Sequence, residues 1–358
     1  MTVGLVLNNR DYGVALADSM VTIGDERKGD TANKLLHINA KDFYGAMVSA
    51  GDAINIFATF EHIKDQTFKN PKKMLESIKN FSLEYSLNID RQALESQMKI
   101  EEIAKKYRGK DEEQEDEEDE SEEGNGKEQE DDMFGSKKRK KAILGGLEDY
   151  ITSDFVAAFY DKKEGRVKKY FINAAIYTED PIFETVIGSG ADSAGLELMK
   201  LISGAPLGKL HKCEIAFFAL CAYVRATQNV GVGGNPKIAL IDKDGSKIVS
   251  REDSIALANI TAAYHADLLP RAYAEHNAEL ILRGQGKYEE VAQAFNMTEF
   301  TLKNMLMPLD SWLNLANNLR YSREPCKCGG KCKKGGKEEG GCKSSGKEGG
   351  CGGNCGKK

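Results

Sequence analysis

The amino-acid sequence predicts an α+β protein, a four-layer α-β-β-α sandwich with a helical C-terminal appendage. Apolar runs of strand length come first, two stretches with helically spaced apolar residues follow, and the same order of strands and helices then returns. That order is typical of two stacked sheets covered by helices on their outer faces. With 358 residues, the chain is long enough to bury a substantial core.

The first strand pair is predicted at the start of the sequence. Residues 3–7 and 13–18 are apolar nearly throughout and flank a polar turn at 8–12. This pattern favours strands that are buried on both faces. Because chain termini usually fray, we expect that a core strand in this position means that the first residues themselves have a use.

The remaining elements of the predicted sandwich follow from the same patterns. Asn70-Pro71 is a typical helix start, with Asn as the cap and Pro in the first turn. We expect a loop at 23–33, a hairpin at 35–38 and 43–49, helices from 52 and from 70 to 103, a hairpin at 154–160 and 166–173, a strand at 183–190, helices at 192–203 and 213–228, and a strand at 237–242.

The C-terminal appendage is predicted to be helical. One long helix is expected at 253–282 and another at 308–321, and residues 288–307 resemble a helix-turn-helix. A DNA-reading helix carries hydrogen-bond donors to bases and phosphates. The second half of residues 288–307 offers only Thr301, Lys303 and Asn304 as such donors. We therefore expect a packing or oligomerisation appendage and no nucleic-acid partner.

Charge is strongly segregated along the chain, although the net charge is only −6. Residues 111–132 contain fifteen acids and one Lys, and residues 137–141 are all basic. The stretch 109–141 offers almost no apolar surface to offset ordering entropy, so we expect a disordered insertion there. The predicted organisation is a domain at 1–260 interrupted by that insertion, a helical extension at 261–322 and a disordered Gly/Lys/Cys-rich tail at 323–358.

Neither a membrane span nor a signal peptide is predicted. No apolar run approaches the ~20 residues that a membrane-spanning helix needs. The first residues include Arg10, Asp11 and Asp18, which a signal peptide would not contain. We therefore expect a cytoplasmic protein without a membrane partner.

Six of the eight cysteines lie in the C-terminal tail. Thiolates at such short spacings on a flexible chain are suited to Zn²⁺ or Cu⁺, with the metal supplying the order. Cys326, Cys328 and Cys332 are the candidate ligands. Their spacing matches no standard zinc-finger pattern, so the alternative is a reactive low-complexity tail. No cofactor is required by the predicted chemistry.

Thr2 is the candidate nucleophile. Its side chain is small, so methionine aminopeptidase is expected to remove Met1 and to free the Thr2 α-amine. An unperturbed α-amine has a pKa of about 7.7–8.0 and acts as the general base for the adjacent hydroxyl. A nearby cation lowers that pKa. Lys34 is the candidate cation, and Asp18, at the end of the second predicted strand, is the candidate partner that holds it.

The spacing of Thr2, Asp18 and Lys34 resembles that of the proteasome β-subunit family, including HslV-like proteins, which are N-terminal-nucleophile (Ntn) hydrolases. The likeness covers roughly residues 1–85 and 154–260. It implies that Thr2 is the nucleophile, that its amine is the base, that Lys34 lowers the pKa of the amine and that Asp18 orients Lys34. The local sequence is also similar at Asp18-Ser19, Thr22-Ile23-Gly24, Lys34-Leu35-Leu36-His37-Ile38 and Gly51-Asp52-Ala53.

The resemblance implies further polar groups around the amine, and here the sequence departs from the family in part. Ser189, between two glycines, matches a family serine. Asn229 stands at an aspartate position and hydrogen-bonds without carrying charge, and Val232 stands at a second serine position. The oxyanion-hole glycine corresponds to Val48, whose backbone N–H still serves as a donor. Its methyl groups are expected to narrow the substrate channel.

The sequence therefore predicts a threonine-type endopeptidase that acts on a protein or peptide substrate. The resemblance implies a homo-oligomeric ring and an unfolding ATPase as a partner. In the implied reaction, the substrate's acyl group forms an ester with Thr2, and water releases it. If an amine attacked that ester instead of water, the same site would catalyse a transpeptidase or ligase reaction. Two other hypotheses stay open: a non-catalytic proteasome-like scaffold or binding protein, favoured by Val48, Asn229 and Val232, and a DNA-binding regulator that uses residues 288–307.

Overall fold

The computed structural model describes residues 2–23, 26–29, 33–64, 66–111, 153–173, 176–229 and 231–323. In these ranges the chain forms twelve strands, nine α-helices and one 3-10 helix at Leu207–Lys209. The strands are β1 (Gly4–Asn8), β2 (Gly13–Ala17), β3 (Val21–Ile23), β4 (Glu26–Gly29), β5 (Leu35–Asn39), β6 (Phe43–Gly51), β7 (Ser153–Asp161), β8 (Arg166–Ile172), β9 (Tyr177–Glu179), β10 (Glu184–Ile187), β11 (Lys237–Asp242) and β12 (Gly245–Ile248). The helices are α1 (Ala53–Lys64), α2 (Pro71–Asp111), α3 (Ala191–Ile202), α4 (Lys212–Ala226), α5 (Arg251–His265), α6 (Arg271–Leu282), α7 (Tyr288–Ala294), α8 (Glu299–Asn304) and α9 (Leu309–Arg323).

Two antiparallel five-stranded sheets form the centre of the molecule. The first has the strand order β10-β1-β2-β11-β12 and the second the order β5-β6-β7-β8-β9. The predicted hairpins β1-β2, β5-β6 and β7-β8 are confirmed as neighbouring pairs. The mixed composition of sheets and helices agrees with the predicted class, and the specific four-layer arrangement stays a prediction.

Three clusters of buried apolar side chains hold these elements together. The first joins β1, β2 and β11 to helices α3 to α9. The second joins β5 to β8 with α1 and α2. The third contains residues of both five-stranded sheets, such as Val6 and Val48. Alternation along β1 explains the division, because Leu5 and Leu7 belong to the first cluster and Val6 to the third.

Two segments in the first half of the chain differ from the prediction. The expected loop at 23–33 contains part of a two-stranded hairpin, in which β3 pairs with β4. Helix α2 continues beyond residue 103, through the predicted start of the insertion at 109, to Asp111. Its Lys- and Glu-rich sequence has good helix propensity, and charge pairs such as Arg91–Glu95 at 3.1 Å support it. The rest of the predicted insertion, 112–141, lies outside the described residues.

The single helix predicted at 253–282 is two helices. Between α5 and α6, Asp267 adopts the left-handed conformation with φ 58°. Pro270 is the residue that precedes the first turn of α6. Proline fits at a helix start and disrupts a helix interior. Pro270 was therefore the sequence signal for this break.

The helical extension packs against the first cluster. Trp312 and Leu302 are fully buried there. The side chain of Asn259 on α5 donates to the carbonyl oxygens of Leu302 at 3.0 Å and of Met305 at 2.9 Å, and accepts from the Met307 N–H at 3.0 Å. The predicted domain boundary at 260 falls inside α5 and stays a prediction.

Membrane spans and metal clusters are both absent from the described ranges. No helix in those ranges combines the length and apolar character that crossing a bilayer requires. No group of three or more His, Cys, Asp or Glu side chains in the same ranges is arranged to hold a metal ion. The candidate ligands Cys326, Cys328 and Cys332 lie outside the described residues, so a tail metal site stays a prediction.

Candidate active site

Thr2 lies just before β1 and is buried, with 5% of its surface exposed. Its backbone nitrogen donates to Ser189 Oγ at 3.1 Å. Its carbonyl oxygen accepts from the Gly190 N–H at 3.1 Å and from the Ser189 hydroxyl at 3.4 Å. The loop between β10 and α3 therefore holds both polar backbone groups of Thr2. Removal of residue 1 would turn the nitrogen that faces Ser189 into an α-amine.

The loop can approach Thr2 this closely because residue 188 is glycine. Gly188 has φ +92°, a conformation that residues with a side chain rarely adopt. A Cβ atom at this position would lie 2.3 Å from the Thr2 carbonyl oxygen and 3.2 Å from Ala50 Cβ. Gly188 thus brings together Thr2, the start of the β10–α3 loop and the end of β6.

Asp18 follows β2 and is fully buried. Its Oδ1 accepts from the Val3 N–H at 3.1 Å and from Lys34 Nζ at 2.9 Å. Its Oδ2 accepts from the Gly233 N–H at 3.5 Å. Because one carboxylate oxygen serves both nitrogens, the Lys34 ammonium is fixed beside the peptide that joins Thr2 to Val3.

Lys34 precedes β5 and retains 7% exposure. Its carbonyl oxygen accepts from the Ser49 N–H at 3.0 Å, which ties its backbone to β6. Besides Asp18, its ammonium donates to the Met20 carbonyl oxygen. Met20 in turn donates from its N–H to the Gly233 carbonyl oxygen at 3.2 Å. The ammonium is therefore positioned by two separate oxygen acceptors.

Burial dominates the electrostatics of this pair. Loss of solvation lowers the pKa of Lys34, and the attraction of Asp18 opposes that shift. Loss of solvation likewise raises the pKa of Asp18, against the opposing effects of Lys34 and of the Val3 and Gly233 N–H groups. A lysine with a lowered pKa that still carries its proton is a strong electrostatic influence on a neighbouring amine, because little water screens it.

The structure brings together Thr2, Asp18, Lys34 and Ser189, and it places Asn229 differently. Asn229 Nδ2 donates to Ser193 Oγ at 3.1 Å, and the Ser193 hydroxyl returns a bond to Asn229 Oδ1 at 3.4 Å. These hydrogen bonds tie the Asn229 side chain to α3 and not to Thr2.

Val232 and Val48 are core residues in this structure. Val232 is 1% exposed, and its Cγ2 would lie 3.2 Å from a Cβ at Gly190. Val48 is fully buried in the cluster between the sheets, where its Cγ2 would lie 3.2 Å from a Cβ at Gly4. The methyl groups of Val48 therefore fill the core beside β1.

Sequence reasoning missed three parts of the site: Ala50, Gly233 and the Met20 carbonyl group. Ala50 lies two residues beyond Val48 on β6, so it is on the same face of the strand and one step closer to the end at Thr2. Alternation along β6 would have identified Ala50 once it was known that this face of β6 packs against the other sheet. Gly233 and Met20 contribute backbone groups, and side-chain motifs give no signal for those.

The arrangement defines a class of site. A threonine backbone nitrogen faces a serine hydroxyl, and a buried lysine is fixed to the adjacent peptide through a shared carboxylate. If that nitrogen is a free amine, the cation beside it favours the neutral, proton-accepting form. Such a pair of amine and hydroxyl on one residue is suited to nucleophilic attack on a carbonyl group.

Comparison with known proteins adds little to this description. No protein-family model matches the chain, and no curated protein matches it. Among solved structures, the chain is similar to an Anbu (Gly-1) mutant from Hyphomicrobium sp. strain MC1, with 11% sequence identity and a TM-score of 0.44. The alignment covers 70% of this chain and 85% of that chain. Similarity at this level supports no conclusion about fold family or function.

Proposed function

We propose that this chain is a threonine-type peptidase of the Ntn-hydrolase class, with Thr2 as its nucleophile after removal of Met1. The observation that carries the proposal is the double use of Asp18 Oδ1, which accepts from Lys34 Nζ at 2.9 Å and from Val3 N at 3.1 Å. A buried carboxylate could satisfy a lysine at many places in a core. Here it holds the ammonium beside Thr2, whose nitrogen faces the Ser189 hydroxyl.

In the proposed reaction, Thr2 Oγ attacks the carbonyl carbon of a peptide bond, and the Thr2 amine accepts the hydroxyl proton. The amine then returns that proton to the departing substrate nitrogen, which leaves an ester between Thr2 and the acyl part of the substrate. Water hydrolyses the ester, and the amine again acts as the base. Lys34 keeps the amine unprotonated, and Ser189 orients its lone pair. Where an amine intercepts the ester, the same site is a transpeptidase.

The test is covalent labelling of the full-length protein by a peptide epoxyketone, a reagent that requires a hydroxyl and an adjacent free amine. Intact mass should show loss of Met1 and one adduct per chain. Thr2→Ala should lose Met1 equally and form no adduct, whereas Thr2→Ser should react. A purified protein that retains Met1, or equal labelling of wild type and Thr2→Ala, would overturn the proposal.

A second candidate function is a non-catalytic scaffold or binding protein with the same architecture. It is favoured by Asn229, which is bonded to Ser193, and by Val232, which packs against the loop at Gly190. Both positions would supply polar support to an amine in a fully equipped site. A wild-type protein that lacks Met1, folds normally and resists labelling at every pH would establish this alternative.

The partners follow from the proposed class. A peptidase without a gate would degrade proteins indiscriminately, so we propose a homo-oligomeric ring that hides its sites and an ATPase that unfolds the substrate. We further propose that the protein acts in the cytoplasm. Native mass spectrometry of the full-length chain tests the ring, because a monomer at micromolar concentration would contradict it.

A further inference from the structure

A cavity lies beside the candidate active site, at the same end of the two five-stranded sheets. It has a volume of about 790 Å³, which is within the range of ligand sites. The start of β5 and the end of α1 line one side of it, and the start of β11, the end of β12 and the first turn of α5 line the other. None of its side chains takes part in the proposed reaction, so the cavity needs a separate explanation.

The strand registers place this cavity next to Thr2. The pairing of β1 with β2 continues beyond β1 through the bond from the Asp18 N–H to the Val3 carbonyl oxygen at 3.2 Å. Ser19, which lines the cavity, is therefore the next residue across from Thr2. β11 lies on the other side of β2 and begins at Lys237, which also lines the cavity. Because neighbouring strands lie about 4.8 Å apart, Lys237 is roughly 10 Å from Thr2 across the sheet.

The side chains of Thr2 and Lys237 lie on the same face of the first sheet. Val6 on β1 and Ala239 on β11 belong to the cluster between the two sheets. Thr2 is four residues before Val6 and Lys237 is two residues before Ala239, so alternation puts both on that face. The Lys237 ammonium accordingly donates to Asn33 Oδ1, just before β5, at 3.1 Å. A peptide that extends from Thr2 across the end of the first sheet would therefore meet Lys237.

The walls of the cavity are largely apolar. Leu35, Phe60 and Val249 line it and are buried. Ile248 also lines it, yet 42% of its surface is exposed. Covering an exposed isoleucine with aliphatic groups of a ligand is favourable, because apolar surface is removed from water.

Two cations at the cavity, Lys237 and Arg251, have no carboxylate partner among the described residues. The Val249 N–H donates to the Ile238 carbonyl oxygen at 2.9 Å, which brings the start of α5 next to the start of β11. Lys237 donates to a neutral amide. Burial lowers the pKa of Lys237, and no carboxylate in the described ranges offsets that shift. A carboxylate supplied by a ligand would do so.

The acids that follow Arg251 in the sequence face another part of the molecule. Glu252 Oε2 lies 3.6 Å from Lys303 Nζ on α8. Asp253 accepts a hydrogen bond from the Tyr288 hydroxyl on α7. Both carboxylates are therefore engaged with the helical extension and do not neutralise the cavity.

The remaining carboxylates near the cavity are each matched by a cation. Asp18, next to Ser19, pairs with Lys34 at 2.9 Å. Glu61, the acid among the lining residues, pairs with Lys64 at 3.3 Å. Two positive charges beside an apolar wall are thus left over in the described part of the chain. That combination suits a ligand with a carboxylate and aliphatic groups.

We propose that this cavity is a specificity site that binds an acidic side chain of the peptide substrate, a few residues from the bond that is cut. The carboxylate binds to Lys237 and Arg251 through charge-assisted hydrogen bonds, and neighbouring aliphatic groups of the substrate cover Ile248. An extended chain advances about 3.3 Å per residue, so the roughly 10 Å between Thr2 and Lys237 corresponds to about three residues. The assignment rests on the proposed peptidase function.

Peptide binding to the full-length Thr2→Ala protein tests the cavity without the reaction. The probes are two rhodamine-labelled nonapeptides of Ala, Leu and Ser that differ only in a central Glu or Gln, and fluorescence anisotropy measures their affinities. We expect the Glu peptide to bind about fivefold more tightly or better, because a hydrogen bond to a charged group is stronger than a neutral one. Equal affinities, or no binding of either peptide, would overturn the assignment.

Variants in the Thr2→Ala background assign the preference to the two cations. Lys237→Met and Arg251→Met should each lower the ratio of the two affinities, and the double variant should bring it close to one. Lys163→Met, in the exposed turn between β7 and β8 at the far end of the sheets, is the matched control and should keep the original ratio. Lys237→Arg retains the charge and should retain the preference if Lys237→Met proves unstable. A folded double variant that still prefers the Glu peptide would contradict the proposal.

Cleavage by the wild-type protein separates this assignment from the proposed function. The substrates are unlabelled nonapeptides in which the single Glu moves along the sequence, and mass spectrometry locates the cuts. We expect the cut to move with Glu, about three residues from it. Cuts that ignore the position of Glu would overturn the specificity site alone. Preferential binding of the Glu peptide by Thr2→Ala without any cleavage by the wild type would support the acidic-peptide site and contradict the peptidase.

Discussion

Lys34 Nζ lies 2.9 Å from Asp18 Oδ1, and both side chains are almost completely removed from solvent. An isolated buried pair of this kind is weak evidence for stability, because the cost of desolvation offsets the attraction. The position of the pair gives it a functional meaning, because Asp18 Oδ1 also accepts a hydrogen bond from the Val3 N–H, next to Thr2. The geometry makes the catalytic and the structural interpretations separable by experiment.

The first prediction concerns the loss of charge at this pair. Lys34→Met should lower the free energy of unfolding by about 3–5 kcal/mol, because it leaves the Asp18 carboxylate buried without a counter-charge. The double variant Asp18→Asn/Lys34→Met removes both charges and should regain most of that stability. Neither variant should be labelled by the epoxyketone. Chemical denaturation and intact mass give the two readouts, and full labelling of the double variant would show that the pair is only structural.

The second prediction concerns the loop at Gly188. A Cβ there would lie 2.3 Å from the Thr2 carbonyl oxygen, and φ is +92°. Gly188→Ala should therefore displace Thr2, lower stability by about 1–3 kcal/mol and abolish labelling. Gly204→Ala is the matched control, because Gly204 has φ +79° but no atom within 4 Å of its Cβ position. Equal behaviour of the two variants would mean that strain alone, and not contact with Thr2, explains the effect.

The third prediction is that the labelling rate rises with pH to a plateau, with a midpoint lowered by Lys34. The rate reports the Thr2 amine, which must be neutral, and a neighbouring ammonium shifts the midpoint below the ordinary α-amine pKa of about 7.7–8.0. Burial lowers the pKa of Lys34 from 10.5, but the amine is already neutral at a pH where Lys34 loses its proton, so no alkaline fall is expected. Stopped-time labelling over this range checks it, and a midpoint at or above the ordinary α-amine value would remove Lys34 from the mechanism.

The fourth prediction is a pH dependence of stability that arises at Lys169. Its pKa is about 8 in the folded protein and 10.5 in the unfolded chain. Between these values the unfolded state binds more protons, so this group makes the folded protein more stable as pH rises. Relative to Lys169→Met, the wild type should gain on the order of 3 kcal/mol across that window, the equivalent of the shift. Urea denaturation of both proteins at about pH 8 and at pH 10.5 measures this gain. A stability difference between wild type and Lys169→Met that is independent of pH would show that the pKa of Lys169 is not shifted.

The fifth prediction is that Asn229 contributes to stability but takes no direct part in the labelling reaction. Asn229→Ala removes the two hydrogen bonds with Ser193, which should lower stability by about 1 kcal/mol. The labelling rate should change less than twofold, because Ser189 and not Asn229 contacts the Thr2 nitrogen. Labelling kinetics on this variant beside Ser189→Ala give the comparison. A slower rate in Asn229→Ala than in Ser189→Ala would reverse the assignment.

The sequence by itself determined the local elements and the composition of the polar site. Apolar runs separated by short polar turns predicted three hairpins, because neighbouring strands pair with little choice of register. The spacing of Thr2, Asp18 and Lys34 carried the family resemblance, and that resemblance implied that these residues would meet; each stands beside one of those strands. Pro270 carried the signal that divides α5 from α6, although the periodicity of apolar residues continued across it.

The resemblance had implied Ser189, but only the tertiary structure decided which of the implied distant groups contact the site and which further groups join them. Ser189 is 187 residues from Thr2 and Gly233 is 215 residues from Asp18. Contacts over such separations depend on how the sheets are placed, and a single chain sequence does not encode that placement locally. The register of β6 put Val48 in the core and Ala50 beside Gly188. Both faces of β8 are covered, so that successive residues from Val167 to Tyr170 are buried, with the Lys169 side chain among them, because burial is set by the layers that cover a strand and not by the residue itself.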